Sequence, residues 1–435
     1  MGLRHQAPRG TRDLLPADTA RWQWAEERAR GVLERYGFRE IRTPTFEDYE
    51  LFARTSGESS DVVQKEMYRF TDFGGRDLAL RPEGTAGVCR AYLEHGLAAR
   101  GRIHRLWYAG PMYRYGRPQK GRYRQFHQIG AEIIGTAAPG ADVEAIALFV
   151  DVFEAWGFRD LTVAVNSLGT PATRRAYGDA LRAWLAPVAQ RLSEDSRRRL
   201  ATNPMRVLDT KDAGDLALLA GEGWPVAPPP MPRLLEVLDD AARAHWDAVR
   251  AGLAALGIAH EVDHGLVRGL DYYTHTAFEV HDRSLGAQSA LGGGGRYDGL
   301  IEALGGAPTP GVGFAIGLDR ALLVMEERGL GAGAAAGGVF VVSMEGTRAP
   351  ALALARALRR RWPVENDLEA RGFGAQMKAA GKSGARFAVI LGEAEWARGE
   401  VMLKDLAAGT QETVARDDLE RVLGARLPAA ESTDR

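Results

Sequence analysis

Residues 105–135 read RLWYAGPMYRYGRPQKGRYRQFHQIGAEIIG. Two strand-like runs, 105–115 and 125–135, flank the basic loop GRPQKGRYR, and this arrangement predicts a long antiparallel hairpin. The hairpin concentrates cations and aromatic rings in a short stretch: Arg114, Arg117, Lys120, Arg122, Arg124, Tyr115, Tyr123 and Phe126. Guanidinium groups bind phosphate oxygens in pairs and an aromatic face stacks on a base, so the pattern suits a nucleotide. A solvated basic loop is the alternative.

The segment before the hairpin has the pattern of a helix followed by a strand. Apolar residues of Asp18–Tyr36 recur at helical spacing, and Gly37 follows as a C-terminal stop. Phe38–Thr43 then alternates as a strand that ends at Pro44.

Changes of composition along the chain predict its domains. From about 169 to 260 the sequence is rich in Ala, Arg and Leu in helical patterns, which predicts a helical insertion within a first domain, 1–328. The run GLGAGAAAGG predicts a flexible linker at 329–338. An α/β domain at 339–425 and a tail at 426–435 follow. In that domain we expect strands at 339–343, 387–391, 400–403 and 411–414, and helices at 349–361 and around 373–380.

Composition limits the class of protein. The 435 residues exceed the roughly 250–300 at which one core stops growing, so at least two domains are expected. The longest apolar runs fall far short of the ~20 residues that span a bilayer, and the start lacks a signal-peptide pattern. The single cysteine, Cys89, excludes an intrachain disulfide and fits a reducing cytosol. The net charge is −1, so any RNA-binding surface must be local.

Two further segments carry polar groups that are costly to bury. In LVRGLDYYTHTAFE, 266–279, the residues Arg268, Asp271, Tyr272 and Tyr273 interrupt a strand-like stretch and need partners or a ligand. A structural Arg268–Asp271 pair is the alternative. In GVGFAIGLDRAL, 311–322, three glycines lead from a strand into a helix with Arg320 in its first turn. Arginine is unfavourable there by the helix dipole unless an anion is its partner.

The segment ALGGGGRYDGL, 290–300, contains four consecutive glycines. Such a run lets the backbone approach a ligand or another strand closely. Its spacing matches neither a dinucleotide fingerprint nor a P-loop, so alone it is weak evidence.

Taken in order, these segments resemble motifs of class II aminoacyl-tRNA synthetases. Arg114–Glu132 is similar to motif two, GLDR to motif three, and the helix and strand ending at Pro44 to motif one. LVRGLDYY and GGGGRYDG resemble the two histidine-specific motifs of the histidyl-tRNA synthetase family. Other segments with the same resemblance are RGTRDLLP at 9–16, LRPEGT at 80–85, NPMRVLDTKD at 203–212 and KSGARFAVILGEAE at 382–395.

The resemblance implies an α+β fold: an antiparallel sheet of six or seven strands with flanking helices, a helical insertion and a C-terminal α/β anticodon-binding domain. It implies a histidine–tRNA ligase that activates L-histidine with ATP and transfers it to the 3′ end of tRNA(His). ATP would be a substrate, with Mg²⁺ accompanying ATP and pyrophosphate. A homodimer is implied by motif one, and we expect a cytoplasmic protein without a membrane partner.

The resemblance also implies roles for individual residues. The implied catalytic residues are Arg114, at the α-phosphate and the histidine carboxylate, and Arg268, which would replace a magnesium ion at the α-phosphate. For ATP, Arg122 and Arg320 would hold the terminal phosphates and Phe126 would stack on adenine. The resemblance also implies a histidine site in which Glu83, Thr85 and Gln128 surround the α-amino group and Glu132 and Tyr273 read the imidazole ring. Its other implied members are Gly84, Tyr272, Arg114 and Arg268. No metal-ligating residue is expected.

One residue departs from the family pattern. Members usually carry glutamate two positions after the motif-two arginine, where it contacts the adenine amino group or orders the loop; here the position is Gly116. Either backbone carbonyls alone read adenine, or this loop is more mobile than usual.

The residues themselves fit the implied reaction. A carboxylate that attacks the α-phosphate builds negative charge at phosphorus and expels pyrophosphate, which calls for alignment and cations rather than an acid, base or nucleophile. The candidate residues are arginines, and the nine histidines are scattered. Two alternatives remain: a non-catalytic regulatory paralogue, and a class II ligase for another amino acid such as proline, threonine or glycine.

Overall fold

The computed structural model describes residues 5–57, 60, 62–118, 120–267, 270, 272–282, 290–331 and 337–427. The chain divides into two compact units, residues 1–331 and 332–435. Among the described residues, none of the helices combines the length and apolar character needed to cross a membrane.

The helices of the first unit are α1 (Pro16–Arg35), α2 (Tyr49–Ser56), α3 (Thr85–Glu94), α4 (Pro139–Ala155), α5 (Pro171–Leu185), α6 (Glu194–Thr202), α7 (Ala213–Leu219), α8 (Asp240–Ala255), α9 (Leu300–Ala303) and α10 (Leu318–Glu327). Its strands are β1 (Arg39–Glu40), β2 (Phe46–Asp48), β3 (Arg69–Thr71), β4 (Asp77–Leu80), β5 (His104–Tyr113), β6 (Gln125–Ile134), β7 (Leu161–Ser167), β8 (His260–Val262), β9 (Thr274–Asp282), β10 (Ala290–Arg296) and β11 (Gly311–Gly317). A π-helical turn lies at Val62–Glu66. Short 3-10 helices lie at Leu97–Arg100, Ala186–Arg191, Pro204–Asp209 and Leu234–Val237.

The main sheet confirms the expected α+β class and adds to it. In the described part of the chain it has eight strands in the order β1-β5-β6-β11-β10-β9-β7-β8. The six central strands are antiparallel, as expected, and the predicted hairpin is β5 paired with β6. The edge strands β1 and β8 pair in parallel with β5 and β7, so the sheet is mixed. A separate small sheet has the order β2-β4-β3.

Two sequence-based strand predictions were too long. The strand expected at Phe38–Thr43 has only two residues, Arg39–Glu40, and one further bond from Ile41 N to Trp107 O. In the stretch that begins at Leu266, the described strand starts at Thr274, and Leu266 itself closes a turn with its N bonded to Asp263 O; residues 268, 269 and 271 lie outside the described part of the chain.

The core of the first unit lies between the main sheet and the helices α1, α4 and α8. Phe149 of α4 contacts Phe278 of β9 and Phe314 of β11, with ring centroids 5.8 and 4.6 Å apart. The glycine run of β10 makes room for this layer. A Cβ at Gly294 would lie 2.8 Å from the Phe278 ring and 2.0 Å from Gly313 O, so no larger residue fits there.

Residues 168–259, between β7 and β8, contain α5 to α8. Around α5 to α7 the apolar residues form their own small cluster, which includes Trp184, Val188 and Leu218. The last helix, α8, instead returns its buried face, with Trp246 and Val249, to the main core. The helical character expected for about 169–260 is therefore present, but its final helix packs with the sheet.

The second unit contains α11 (Arg348–Leu358), α12 (Phe373–Ala380), α13 (Glu393–Ala397), α14 (Leu419–Gly424), β12 (Val339–Ser343), β13 (Val364–Asn366), β14 (Phe387–Leu391), β15 (Glu400–Asp405) and β16 (Gln411–Ala415). Within the described range the strands form one sheet, β13-β12-β14-β15-β16. Alternate residues of β12 pack in two separate clusters, Val341 with the α11 residue Ala355 and Phe340 with the α12 residue Ala380. This two-sided burial explains the unbroken apolar runs and confirms the strands and helices predicted there.

Candidate active site

A cavity of about 280 Å³ lies against the centre of the main sheet in the first unit. Strands β6, β9, β10 and β11 form its floor, and the segment entering α3 forms one wall. Because these strands are neighbours in the sheet, residues far apart in sequence meet here. The cavity residues that the sequence singled out are Glu83, Thr85, Arg114, Arg122, Gln128, Glu132, Tyr272, Tyr273 and Arg320.

The closed end of this cavity is built on the carboxyl group of Glu132. Its two oxygens accept hydrogen bonds of 2.7 Å from the Thr85 hydroxyl and from the Tyr297 hydroxyl. Glu132 is 1% exposed, and burial raises the pKa of Glu132 to about 8. The two hydroxyl donors oppose that rise and the neighbouring Glu83 adds to it. This carboxyl is therefore held in place and close to neutral at physiological pH.

Glycine at position 313 is required for this arrangement. A Cβ on Gly313 would lie 1.8 Å from the Glu132 carboxyl and 2.5 Å from Ala131 O. Gly313 is directly opposite Glu132 in the β6–β11 ladder. Any side chain there would expel the Glu132 carboxyl from its position.

Glu83 occupies the start of α3. Its carboxylate accepts from Thr85 N at 2.6 Å and from Ala86 N at 2.9 Å, which satisfies two of the free N–H groups at the helix end. Desolvation raises the pKa of Glu83, while these N–H groups and the charge of Arg114 lower it. Gly84 is the residue before the helix and packs beside Tyr108 rather than lining the cavity.

Polar groups at the middle of the cavity are available to a ligand. The Gln128 side-chain Oε1 is buried and has no hydrogen-bond partner among the described residues, and a ligand can supply one. Tyr272 and Tyr273 lie close together, with ring centroids 4.6 Å apart, at the opposite wall. Desolvation raises the pKa of Tyr272 well above its usual value, so the Tyr272 hydroxyl is uncharged.

The open end of the site is lined by arginines. A second cavity of about 560 Å³ shares Arg114, Arg122 and Arg320 with the first, so the two form one cleft. Arg114 is fixed by a 2.8 Å bond from its Nε to Pro82 O, and its guanidinium lies 5.5 Å from the Phe126 ring centroid. An aromatic ring and a planar cation in contact on the wall of this cavity suit a nucleobase next to a phosphate site.

The helix α10 presents Arg320 to the cleft, as its sequence predicts. Asp319 fixes the first turn: it accepts from Arg12 at 3.0 Å and from His127 N at 2.7 Å. Desolvation lowers the pKa of Arg320, and the like charge of Arg122 lowers it further. Two like charges on the wall of one cleft indicate an anionic ligand between them.

Gly116 leaves space that a neighbouring carboxylate partly fills. A Cβ at Gly116 would lie 3.6 Å from Glu66 Oε1, and both residues line the outer cavity. The main chain is tied at the same place, because Tyr115 N bonds to Glu66 O at 2.6 Å.

Sequence reasoning missed two residues of the site and could not place a third. Tyr297 follows the glycine run directly, and its buried hydroxyl is the partner of Glu132. Glu279 ends the segment 266–279 and lines the inner cavity. The available signal was position in the sequence: Tyr297 closely follows the four glycines, and Glu279 closes a segment already rich in polar residues. Arg268, the predicted catalytic arginine, and Asp271 lie outside the described residues.

A buried ion pair holds Tyr297 in register. Arg296 and Asp142 are both fully buried and bonded to each other, and Arg296 also donates to Asp298 at 3.0 Å and to Thr136 O at 2.9 Å. With its donors paired, Arg296 anchors the end of β10 to the start of α4. This anchor positions the next residue, Tyr297, so that its hydroxyl donates to Glu132.

Comparisons with known proteins identify the family of the chain. A family model described as histidyl-tRNA synthetase matches residues 10–321, and one described as anticodon binding domain matches residues 338–426. A histidine–tRNA ligase from Thermosynechococcus vestitus is 48% identical over 420 residues, 96% of each chain. Another from Synechococcus sp. is 49% identical, over 96% of this chain and 98% of its own. The structure of apo histidyl-tRNA synthetase from S. aureus is 36% identical, with a TM-score of 0.79 over 96% of this chain and 99% of that chain. The chain therefore belongs to the histidyl-tRNA synthetase family.

Proposed function

We propose that the inner cavity binds histidine and the outer cavity binds ATP, so that the chain forms histidyl-adenylate and then histidyl-tRNA(His). The observation that carries this proposal is one continuous cleft with two unlike ends. Buried, nearly neutral polar groups around Glu132 suit an imidazole, and an arginine-lined end suits a triphosphate.

The ring of histidine would be read by Glu132 and Tyr273. With a pKa of about 8, the Glu132 carboxyl holds a proton near neutral pH. This proton can be shared with a ring nitrogen of a neutral imidazole, and the second ring nitrogen donates to a hydroxyl or carbonyl at the wall. A side chain without matching nitrogens leaves these buried groups unpaired, which discriminates by roughly 10⁴–10⁵ without an editing site.

The backbone groups of histidine would bind nearer the arginines. Glu83 and Gln128 offer oxygen acceptors to the α-ammonium group, and Thr85 fixes the wall between them. Arg114 lies at the junction of the two cavities, where its guanidinium can hold the histidine carboxylate and the α-phosphate together. This places the attacking oxygen next to the phosphorus.

The activation step needs only this alignment and positive charge. A histidine carboxylate oxygen forms a bond to the α-phosphorus, and the bond from that phosphorus to the oxygen bridging to the β-phosphate breaks, releasing pyrophosphate. Arg122 and Arg320 stabilise the departing charge, while Phe126 stacks on adenine. Arg268 is proposed to stabilise the α-phosphate, on the resemblance alone.

Magnesium enters this proposal as part of the nucleotide substrate. Within the described residues no group of three or more His, Cys, Asp or Glu side chains is placed to hold a metal ion. Mg²⁺ carried in with ATP would offset part of the phosphate charge, and Arg122 and Arg320 would hold the phosphates in place.

The transfer step would use both units. A ribose hydroxyl at the 3′ end of tRNA attacks the carbonyl carbon of the adenylate, and AMP leaves. Recognition of the anticodon belongs to the domain at 339–425, joined to the catalytic domain 1–328 by the linker 329–338. The helical insertion, about 169–260, is proposed to contact the RNA without hydrolytic activity.

We also propose a homodimer located in the cytosol. Motif one, the helix and strand ending at Pro44, is the predicted subunit contact. Next to it, Phe46 and Phe70 are 53% and 41% exposed, with ring centroids 6.4 Å apart, which is apolar surface suited to a partner. Sedimentation of the protein with and without Phe70→Ser tests this: a monomeric wild-type chain contradicts it.

Single-turnover formation of adenylate from histidine and ATP, followed by charging of tRNA(His), tests the proposed function. We expect adenylate without tRNA and histidyl-tRNA on its addition. A regulatory paralogue predicts neither product. A class II ligase for another amino acid predicts adenylate only with that amino acid.

A further inference from the structure

The outer cavity has a wall that comes from the helical insertion. Arg206, Asp209 and Lys211 of the segment NPMRVLDTKD line it, facing Phe126 and the arginines of the hairpin and α10. These residues are separated by about eighty positions or more from the other cations of the cleft. The insertion therefore encloses the nucleotide end of the site, in addition to any role with RNA.

This wall is a fixed structure. Pro204, Met205 and Val207 are buried, and Arg206 itself is only 7% exposed. Arg206 lies in the short helical turn Pro204–Asp209, whose first bond runs from Arg206 N to Asn203 O at 3.0 Å. Arg206 and Lys211 both interact electrostatically with Asp209, which lines the same cavity, so one carboxylate accompanies two cations on this wall.

Lys211 is held between two anchored neighbours. The Thr210 hydroxyl donates to Asp215 at 2.9 Å, and the Asp212 carboxylate accepts from Gly214 N at 2.9 Å and Asp215 N at 3.0 Å at the start of α7. The backbone at Lys211 is therefore fixed on both sides, and the side chain lines the cavity. This order reduces the entropy cost of binding a ligand.

The charges around the outer cavity do not balance. Three carboxylates, Glu66, Asp209 and Asp319, line it, and Asp319 is already bonded to Arg12. Six cations line it in the described part of the chain: Arg114, Arg117, Arg122, Arg206, Lys211 and Arg320. The excess suits a polyanion the size of a triphosphate.

We propose that Arg206 and Lys211 bind the phosphates of ATP, and of the pyrophosphate that leaves, from the insertion side of the cleft. The proposal rests on the assignment of the outer cavity to ATP. It makes the insertion part of the activation step, which requires no tRNA. If these cations instead served only RNA, their loss would affect tRNA charging and leave activation unchanged.

ATP–pyrophosphate exchange without tRNA tests this in the full-length protein. We expect Lys211→Ala to raise KM for ATP about three- to tenfold and Lys211→Glu to raise it further, with KM for histidine within about twofold of wild type. Arg206→Ala should raise KM for ATP at least tenfold, and Arg206→Lys should recover part of the loss because the charge remains. Arg197→Ala, at an exposed position of α6, is the control and should change neither constant.

The results distinguish the proposed role of Arg206 and Lys211 from the assignment of the outer cavity to ATP, on which that role rests. Unchanged KM for ATP in both Lys211 variants, with weaker tRNA charging, would overturn the inference in favour of an RNA contact. If Arg206→Ala does not fold, KM for ATP in the two Lys211 variants decides between phosphate binding and an RNA contact. Absence of exchange in the wild-type protein would instead overturn the assignment of the cleft to histidine activation.

Discussion

The buried carboxyl of Glu132 gives a prediction in which stability and activity change in opposite directions. Burial raises its pKa from 4.5 to about 8, so the folded protein keeps this proton where the unfolded chain has lost it. Folding stability therefore falls as pH rises from 4.5 towards 8 and is constant above that. Glu132→Gln removes the titration in both states, so the variant should be the more stable protein at pH 8 and not at pH 5.

The size of this effect follows from the pKa difference. Each pKa unit corresponds to about 1.4 kcal/mol, so the cost of the carboxyl at pH 7 is roughly 3 kcal/mol. Glutamine keeps the shape but accepts less well from the hydroxyls of Thr85 and Tyr297, which offsets about 1 kcal/mol or more. The net gain should be on the order of 1–2 kcal/mol near pH 7, or about 2–3 °C in Tm for a unit of this size.

Thermal unfolding of both proteins at pH 5 and pH 8, with histidine activation measured on the same samples, tests the prediction. Activation should fall about a hundredfold or more, because the ring of histidine loses its partner. Glu94→Gln, at an exposed helix position, is the control and should change neither quantity. A Tm difference that is the same at both pH values, or a variant that is less stable at pH 8, would refute the reasoning.

Three further predictions concern other parts of the chain. Gly313→Ala should abolish histidine activation and lower Tm, because its Cβ would lie 1.8 Å from the Glu132 carboxyl; calorimetry and pyrophosphate exchange check this, and a normal KM for histidine would contradict it. Arg268→Ala should slow adenylate formation by about 10²-fold or more with a smaller effect on KM, read in single-turnover experiments; an active but destabilised variant would favour a structural pair with Asp271. Truncation to residues 1–328 should preserve histidine activation and sharply reduce tRNA charging, and equal charging by the truncated and whole chains would disprove the assigned role of the C-terminal domain.

Local patterns predicted the elements of the fold well. The hairpin β5–β6 and the strand β14 follow from residues adjacent in sequence, and the structure has them where the sequence places them. The edge strand β8 was not predicted and β1 was predicted too long, because each forms by pairing in parallel with a distant strand. A pattern of two or three residues carries no information about such a partner.

The candidate site was predicted as a set of residues rather than as an arrangement. Resemblance supplied Glu132, but its bond to Tyr297 joins positions 165 apart and depends on a glycine in a third strand. The same limit applies to Arg206, which reaches the cleft only because the insertion folds back over it. Motif spacing encodes chemistry, whereas these contacts are set by sheet order and packing.

The central claim is that the inner cavity selects histidine for reaction with ATP. Pyrophosphate exchange by the full-length protein, measured separately with each of the twenty amino acids and without tRNA, tests it most directly. The account predicts exchange with histidine and only background with the other nineteen. Exchange with a different amino acid, or with none, would contradict it.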